Sequence, residues 1–161
     1  MTLIIRLFTL CLTLMWSATS FAEGDYRLTI NEVTVKAKRA DGKAWDVGRG
    51  EHKKPDLFAS ISVNGSYVLQ KAFKSDLITV TPHAETQSFD LKESENVVHV
   101  VIYDKDLSGD DLIGSLTFKL SDGDLDKEIT HAEGLISGVK LTLSLTRAGR
   151  EARARQRAEA E

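Results

Sequence analysis

The chain has 161 residues with 24 acidic and 21 basic side chains, so its formal net charge is −3 at pH 7. This mildly acidic balance gives no electrostatic support for binding nucleic acid. The single cysteine is Cys11, near the N-terminus. The rest of the chain therefore offers neither a disulfide framework nor a cysteine nucleophile.

The first 22 residues have the pattern of a secretory signal peptide. One positive side chain, Arg6, precedes the apolar run Leu7 to Trp16, and Ser20-Phe21-Ala22 supplies small residues where a signal peptidase reads. Cleavage after Ala22 is expected, with an uncleaved N-terminal anchor as the alternative. The remaining 161 − 22 = 139 residues suffice for one domain. A cysteine-free exported domain favours the bacterial envelope, most simply the periplasm.

From Tyr26 onward the apolar residues recur with a period of two, which predicts β-strands. The apolar face shifts by one residue at Asn31-Glu32, which predicts a β-bulge, and Asn64-Gly65 predicts a hairpin turn. Strands are also expected over residues 78–81, 87–91, 97–103, 112–120 and 139–145. We predict an all-β fold, an antiparallel eight-stranded β-sandwich over residues 23–147. The charged tail, residues 148–161, is expected to be helical or disordered, since it has no apolar stripe for packing on the sandwich.

An acidic loop separates the strands predicted at 97–103 and 112–120. It contains Asp104, Asp106, Asp110 and Asp111. Carboxylates so close together repel one another, and hard oxygen ligands of this kind suit a bound Ca²⁺. An EF-hand is the competing interpretation, but Ser115 stands where that loop requires a bidentate Glu. Both flanks are predicted strands, whereas an EF-hand needs helices.

The loop and its flanking strands resemble a known family. The pattern Val98-x-Val100-x-Ile102-Tyr103-Asp104-x-Asp106, followed by Asp111-Leu112-Ile113-Gly114, is similar to the third calcium-binding loop of C2 domains. Asp56-Leu57-Phe58 resembles the family's Asp-Pro-Tyr motif, although the Pro and Tyr are replaced. The resemblance implies a C2-like sandwich in which the first and third loops jointly bind Ca²⁺. The ligands it implies are Asp46, Asp56, Asp104, Asp106 and Asp111, with Asp110 as a substitute for Asp111.

The predicted function is that of a calcium-binding module of the bacterial cell envelope. The resemblance implies Ca²⁺-dependent binding to a phospholipid surface, and an envelope protein is the other candidate partner. The alternative is a calcium-independent structural or protein-interaction β-sandwich. Trp45 either inserts into a membrane interface or packs over its own loop. The basic residues of that loop either approach lipid phosphates or are simply solvated; they are Arg49, His52, Lys53 and Lys54.

No enzymatic activity is expected. The four histidines are scattered along the chain, and no Gly-x-Ser-x-Gly nucleophile motif is present.

Overall fold

The fold was analysed in a computed structural model, which describes residues 24–46, 54–73, 76–106 and 109–161. The predicted signal peptide lies outside the described residues, as do Arg49, His52 and Lys53. Within the described ranges, no helix is both long and apolar enough to cross a membrane.

The described residues form nine strands, a single 3-10 turn at Asp122–Asp124 and one α-helix. The strands are β1 (Tyr26–Val35), β2 (Leu57–Val63), β3 (Ser66–Ala72), β4 (Thr79–Val80), β5 (Ala84–Glu85), β6 (Asn96–Asp104), β7 (Asp111–Leu120), β8 (Glu128–Glu133) and β9 (Ile136–Leu145), and the helix is α1 (Arg147–Ala160). One sheet has the order β4-β1-β9-β8, with β5 also paired to β1, and the other has the order β3-β2-β6-β7. All these pairings are antiparallel, which confirms the predicted sandwich.

The nine described strands occupy eight positions in the two sheets, which agrees with the eight strands predicted. Strands β4 and β5 both pair with β1, at Val33–Thr34 and Thr29–Ile30 respectively, so they form one interrupted edge strand. The interruption contains Pro82, which has no N–H to donate, and His83, whose φ is 44°. A short, broken edge of this kind also resists pairing with another chain.

The core lies between the two sheets and is built from the inward-facing residues of alternating strands. Leu28, Ile30, Ile61, Val100 and Leu141 are fully buried in it. Each such side chain stabilises the fold by roughly 1.5–3 kcal/mol through removal of apolar surface from water. The apolar alternation in the sequence therefore fixes which face of each strand points inward.

Two local predictions are confirmed by the strand register. The pairing of β1 with β9 shifts between Ile30 and Glu32, where the bulge was expected. At the β2–β3 hairpin Asn64 and Gly65 both have positive φ, 52° and 84°, as a two-residue type I′ turn requires.

The sequence analysis predicted one strand that the structure lacks at residues 87–91, and it missed one strand, β8. Residues 87–91 do not form a strand, because only Phe89 makes an isolated bridge, to Tyr26. Strand β8 was not predicted, since its alternation is short and its residues are mostly exposed and polar.

Helix α1 packs against the start of β1 through a glycine and an arginine. Thr146 caps the helix: its hydroxyl accepts from the Gly149 N–H at 3.1 Å and donates to the Gly24 carbonyl at 2.8 Å. Gly149 is buried, and a Cβ at this position would clash with the Asp25 carbonyl oxygen. Farther along, Arg153 pairs with Asp122 and hydrogen-bonds the Tyr26 hydroxyl. An apolar stripe, which the sequence lacks, is not needed for this contact.

Candidate metal centre

Three connecting segments meet at one end of the sandwich, where β2 begins and β6 ends. The β2–β6 register places Leu57 opposite Asp104, and the Lys105 N–H donates to the Asp56 carbonyl at 2.9 Å. The segment after β3 joins them, because the Leu77 N–H donates to the Pro55 carbonyl at 3.3 Å. Backbone hydrogen bonds thus hold the ends of these segments together independently of any charge.

Asp104 is the most buried acidic side chain of this region. It follows Val98, Val100 and Ile102 on the inward-facing row of β6, and its residue exposure is 0%. One carboxylate oxygen, Oδ1, accepts the Asp56 N–H at 2.7 Å, whereas Oδ2 is buried with no hydrogen-bond partner among the described residues. Burial raises the pKa of Asp104 and the carboxylates of Asp106, Asp56 and Asp111 raise it further, although the Asp56 N–H lowers it. A buried carboxylate oxygen without a partner is unfavourable unless a donor or a cation reaches it.

Asp46 connects the acidic residues of the first and third loops. Its carboxylate belongs to two groups of three, each with oxygen atoms within 4.8 Å of one another; the groups are Asp46, Asp56 and Asp76, and Asp46, Asp104 and Asp106. We call these five residues the acidic cluster. Burial, a hydrogen bond with Asp106 and the neighbouring carboxylate charges raise the pKa of Asp46 to about 6. The cluster therefore concentrates negative charge that a cation would relieve.

Asp76 is a member of the cluster that the sequence analysis did not identify. Its N–H donates to Asp56 Oδ1 at 2.8 Å, and its backbone has a φ of 58°. It lies in the segment between β3 and β4, and no spacing or motif relates that segment to Asp46 or Asp56. Tertiary contacts bring Asp76 to the cluster, among them this bond to Asp56 and the bond from the Leu77 N–H to the Pro55 carbonyl.

Four of the five predicted ligands, Asp46, Asp56, Asp104 and Asp106, lie in the acidic cluster, whereas Asp111 belongs to neither group. Its Oδ2 accepts a hydrogen bond from Arg39 Nη1 at 2.7 Å. The proposed substitute, Asp110, is exposed.

Trp45 packs over its own loop, which was one of the two alternatives. Its exposure is 5%, and its indole Nε1–H donates to the Lys36 carbonyl at 2.8 Å. A ring held in this way is not available to insert into a membrane. The neighbouring aromatic pair Phe58 and Tyr103 is half-buried, with ring centroids 6.3 Å apart.

The comparisons with known proteins agree with this arrangement. A family model for the C2 domain matches residues 31–135, well over half of the chain. The chain belongs to the C2 domain family. The solved structure of a C2 domain aligns over 76% of this chain and 97% of its own, at 14% identity and a TM-score of 0.57. The calcium-bound tandem C2 domains of extended synaptotagmin 2 align over 76% of this chain and 45% of theirs, at 20% identity and a TM-score of 0.53.

These similarities concern the fold of one module. No curated protein sequence matches the chain significantly. The chain spans only 18% of the length of human GIVD cytosolic phospholipase A2, with which it shares 15% identity at a TM-score of 0.49. As a C2 domain, the chain has its loops at the sheet ends, and strands flank the acidic loop on both sides, which excludes the EF-hand.

The donor set of this C2 domain suits a hard divalent cation. The acidic cluster offers only oxygen ligands, and one of them, Asp104 Oδ2, has no other partner in the described part of the chain. Cations with high coordination numbers and flexible geometry accept carboxylates from several loops in this way. The residues present therefore fit a metal of the kind the family implies.

Proposed function

We propose that this C2 domain is a calcium-binding module that attaches reversibly to a phospholipid surface. The observation that carries the proposal is the fully buried Asp104: its carboxylate converges with those of Asp46 and Asp106, and its Oδ2 has no hydrogen-bond partner among the described residues. A carboxylate in this position destabilises the fold unless a cation accompanies it. An oxygen-only donor set drawn from separate loops is typical of Ca²⁺ sites.

Asp46, Asp56, Asp76, Asp104 and Asp106 would hold the ion. Asp104 would contribute its free Oδ2, because Oδ1 is already bonded to the Asp56 N–H. Asp46 would be shared between the two groups of three carboxylates. Calcium, when bound, would offset part of the negative charge at this end of the sandwich. The side chains themselves position the loops and exclude water from the inner face of Asp104.

Exposed lysines lie on the segments that carry the acidic cluster and suit an anionic surface. Lys36, Lys38 and Lys43 lie on the first loop, and Lys105 follows Asp104 directly. With the carboxylates uncompensated, this end of the molecule repels phosphate groups. Bound calcium would lower this negative charge, so that the lysines attract phosphate groups more strongly.

The second candidate function is a calcium-independent protein-interaction module. The outer face of the sheet β3-β2-β6-β7 favours it, because Tyr67 is 68% exposed and Leu112 is 61% exposed. The two side chains lie on the opposite edge strands β3 and β7, and a contact surface would require further apolar area between them. This function needs no ion, so calcium dependence separates it from the first.

We also propose that the chain is exported and acts in the periplasm. The support is the signal-peptide pattern of residues 1–22 and the absence of cysteine after residue 22. Expression in a Gram-negative host followed by fractionation and mass measurement tests this proposal. A periplasmic product beginning at Glu23 is expected. A product in the cytoplasm that retains residues 1–22 would contradict it.

Calcium titration by calorimetry tests the ion site. The purified chain from Glu23 onward contains every described strand and α1. We expect it to bind Ca²⁺ between micromolar and millimolar concentrations. The double variant Asp104→Asn/Asp106→Asn should lose binding, whereas Asp90→Asn should not. Asp90 is a matched control because its Oδ1 also accepts a backbone N–H, from Asp25 at 2.9 Å, outside the acidic cluster. Absence of binding at several millimolar calcium would refute the proposal.

Sedimentation with vesicles tests whether the domain binds a phospholipid surface. Vesicles of phosphatidylglycerol should carry the protein into the pellet in calcium but not in chelator, and neutral phosphatidylcholine vesicles should not carry it in either. Raising the salt concentration should weaken the binding, since it depends on charge. If the protein binds calcium yet stays in the supernatant throughout, the partner is a protein.

A further inference from the structure

Asp111 and Arg39 form an ion pair beside the acidic cluster. The pair joins the turn after β1 to the first residue of β7, with Nη1 and Oδ2 2.7 Å apart. The guanidinium also lies over the Trp45 ring, 5.9 Å from its centroid. Arg39 therefore contacts a predicted metal ligand on one side and the buried aromatic ring of the first loop on the other.

The backbone that carries Arg39 is held in place by its own turn. The Arg39 N–H donates to the Lys43 carbonyl at 3.0 Å, and the Gly42 N–H donates to the Arg39 carbonyl at 3.0 Å. Asp41 accepts the Lys43 N–H at 3.0 Å, and Gly42 has the positive φ, 82°, that closes the turn. The Trp45 indole bond to Lys36 fixes the other end of this segment.

Strand register does not explain why Asp111 lies outside the cluster. Asp111 is the cross-strand partner of Asp104, so the backbone places the two residues directly opposite each other. Its charge is near enough to raise the pKa of Asp104. The side chain is nevertheless bonded to Arg39 and belongs to neither group of converging carboxylates. The arginine, not the strand, determines the orientation of this carboxylate.

We propose that Arg39 withholds Asp111 from the ion site and thereby sets the calcium affinity of this domain. Calcium is bound by the acidic cluster alone, while Asp111 stays paired with the guanidinium in the loaded protein. Arg39 acts as a resident cation that neutralises one carboxylate of the third loop. It weakens calcium binding by removing a ligand and by adding a positive charge nearby. This inference rests on the proposed function, because it concerns regulation of the same ion site.

The first test compares calcium affinities by calorimetry, with Tb³⁺ luminescence excited through Trp45 as a second readout. Trp45 is the only tryptophan after residue 22 and immediately precedes Asp46. Asp111→Asn removes a nearby negative charge but no ligand, so it should raise the calcium Kd by about threefold at most, whereas Asp104→Asn should abolish binding. Arg39→Gln should tighten binding about tenfold, because it releases a carboxylate and removes a like charge.

Lys43→Gln is the matched control for Arg39→Gln. It removes one positive charge from the same turn, but Lys43 is 80% exposed and pairs with Asp41 instead of Asp111. Its effect on the Kd should stay within about twofold. In the Arg39→Gln background, the further change Asp111→Asn should reverse most of the tenfold gain. This reversal distinguishes a released ligand from a general charge effect.

A double-mutant cycle based on melting temperatures tests whether the Arg39–Asp111 pair is present in both the calcium-free and the calcium-bound protein. The Arg39 and Asp111 substitutions should be coupled in chelator and equally coupled in saturating calcium, because the pair persists. Coupling that disappears in calcium, or an Asp111→Asn variant that loses tenfold or more in affinity, would overturn the inference and leave the proposed function intact. Failure of the unmodified chain to bind calcium would instead refute both.

Discussion

Replacing Asp104 by Asn should make the calcium-free protein more stable. Asn has the same shape, and its amide oxygen can still accept the Asp56 N–H that Asp104 Oδ1 accepts at 2.7 Å. Its NH₂ group takes the place of Oδ2, which has no hydrogen-bond partner among the described residues, and after a small shift it would donate to Asp46 or Asp106, whose carboxylates converge on that of Asp104 within 4.8 Å. The change thus removes a repulsive charge and satisfies a buried polar position at once.

The magnitude follows from the spacing of the carboxylates. Two full charges about 4.8 Å apart repel by roughly 3.5 kcal/mol at an effective dielectric constant of about 20. The partial exposure of Asp46 and Asp106 reduces this to about 2 kcal/mol of net stabilisation. For a domain of this size, the melting temperature in chelator should rise by about 6 °C.

In calcium, the unmodified protein should become more stable than the Asp104→Asn variant. At a calcium concentration about 1,000 times Kd, binding stabilises the unmodified protein by about 4 kcal/mol, whereas Asp104→Asn gains nothing. Thermal melts by circular dichroism, in chelator and in calcium, measure both differences. A variant that is less stable than the parent in chelator, or that retains the calcium shift, would refute the reasoning. Asp90→Asn should leave both melting temperatures nearly unchanged.

Three further predictions concern pH, the helix and the core. Burial and neighbouring charges raise the pKa of Asp46 to about 6 and also raise that of Asp104, so the folded state binds protons more tightly than the unfolded state. The chelated protein should therefore gain stability as the pH falls from about 7 towards 4, a gain seen in its melting temperature and reduced in Asp46→Asn. Gly149→Ala should lower the free energy of unfolding by about 1–3 kcal/mol, since the added Cβ would meet the Asp25 carbonyl. Denaturant titration measures this loss. Ala154→Gly, at an exposed position of the same helix, is the control and should cost only about 1 kcal/mol. Leu141→Ala should cost about 2–5 kcal/mol in the same titration because Leu141 is fully buried, and a loss below about 1 kcal/mol would contradict the assigned core.

The sandwich could be predicted because apolar and polar residues alternate regularly along its strands. The alternation through Val98, Val100 and Ile102 also predicts that Asp104 faces inward, so the most important carboxylate was accessible to sequence reasoning. Asp46 and Asp56 were found only through a family resemblance, since neither stands in an alternating run of its own.

The remaining features depend on contacts between distant parts of the chain. Asp76 reaches the cluster through the Pro55 carbonyl and the Asp56 carboxylate, and Arg39 meets Asp111 from 72 residues away. The docking of α1 rests on the missing side chain of Gly149, which no hydrophobic pattern reveals. Local periodicity predicts where strands occur and which side of each strand is buried, but it does not predict which two loops are joined by a hydrogen bond.

The pairing of β1 with β9 has a consequence for when the protein can fold. Tyr26 lies opposite Leu145, so the first strand of the sandwich waits for a partner 145 − 26 = 119 residues later in synthesis. One whole sheet is centred on this pair, and it cannot close until β9 has been synthesised. Such non-local topologies also fold slowly, on a scale of about milliseconds to seconds. The export that we propose requires an unfolded chain, and this topology would keep the first sheet open for that step.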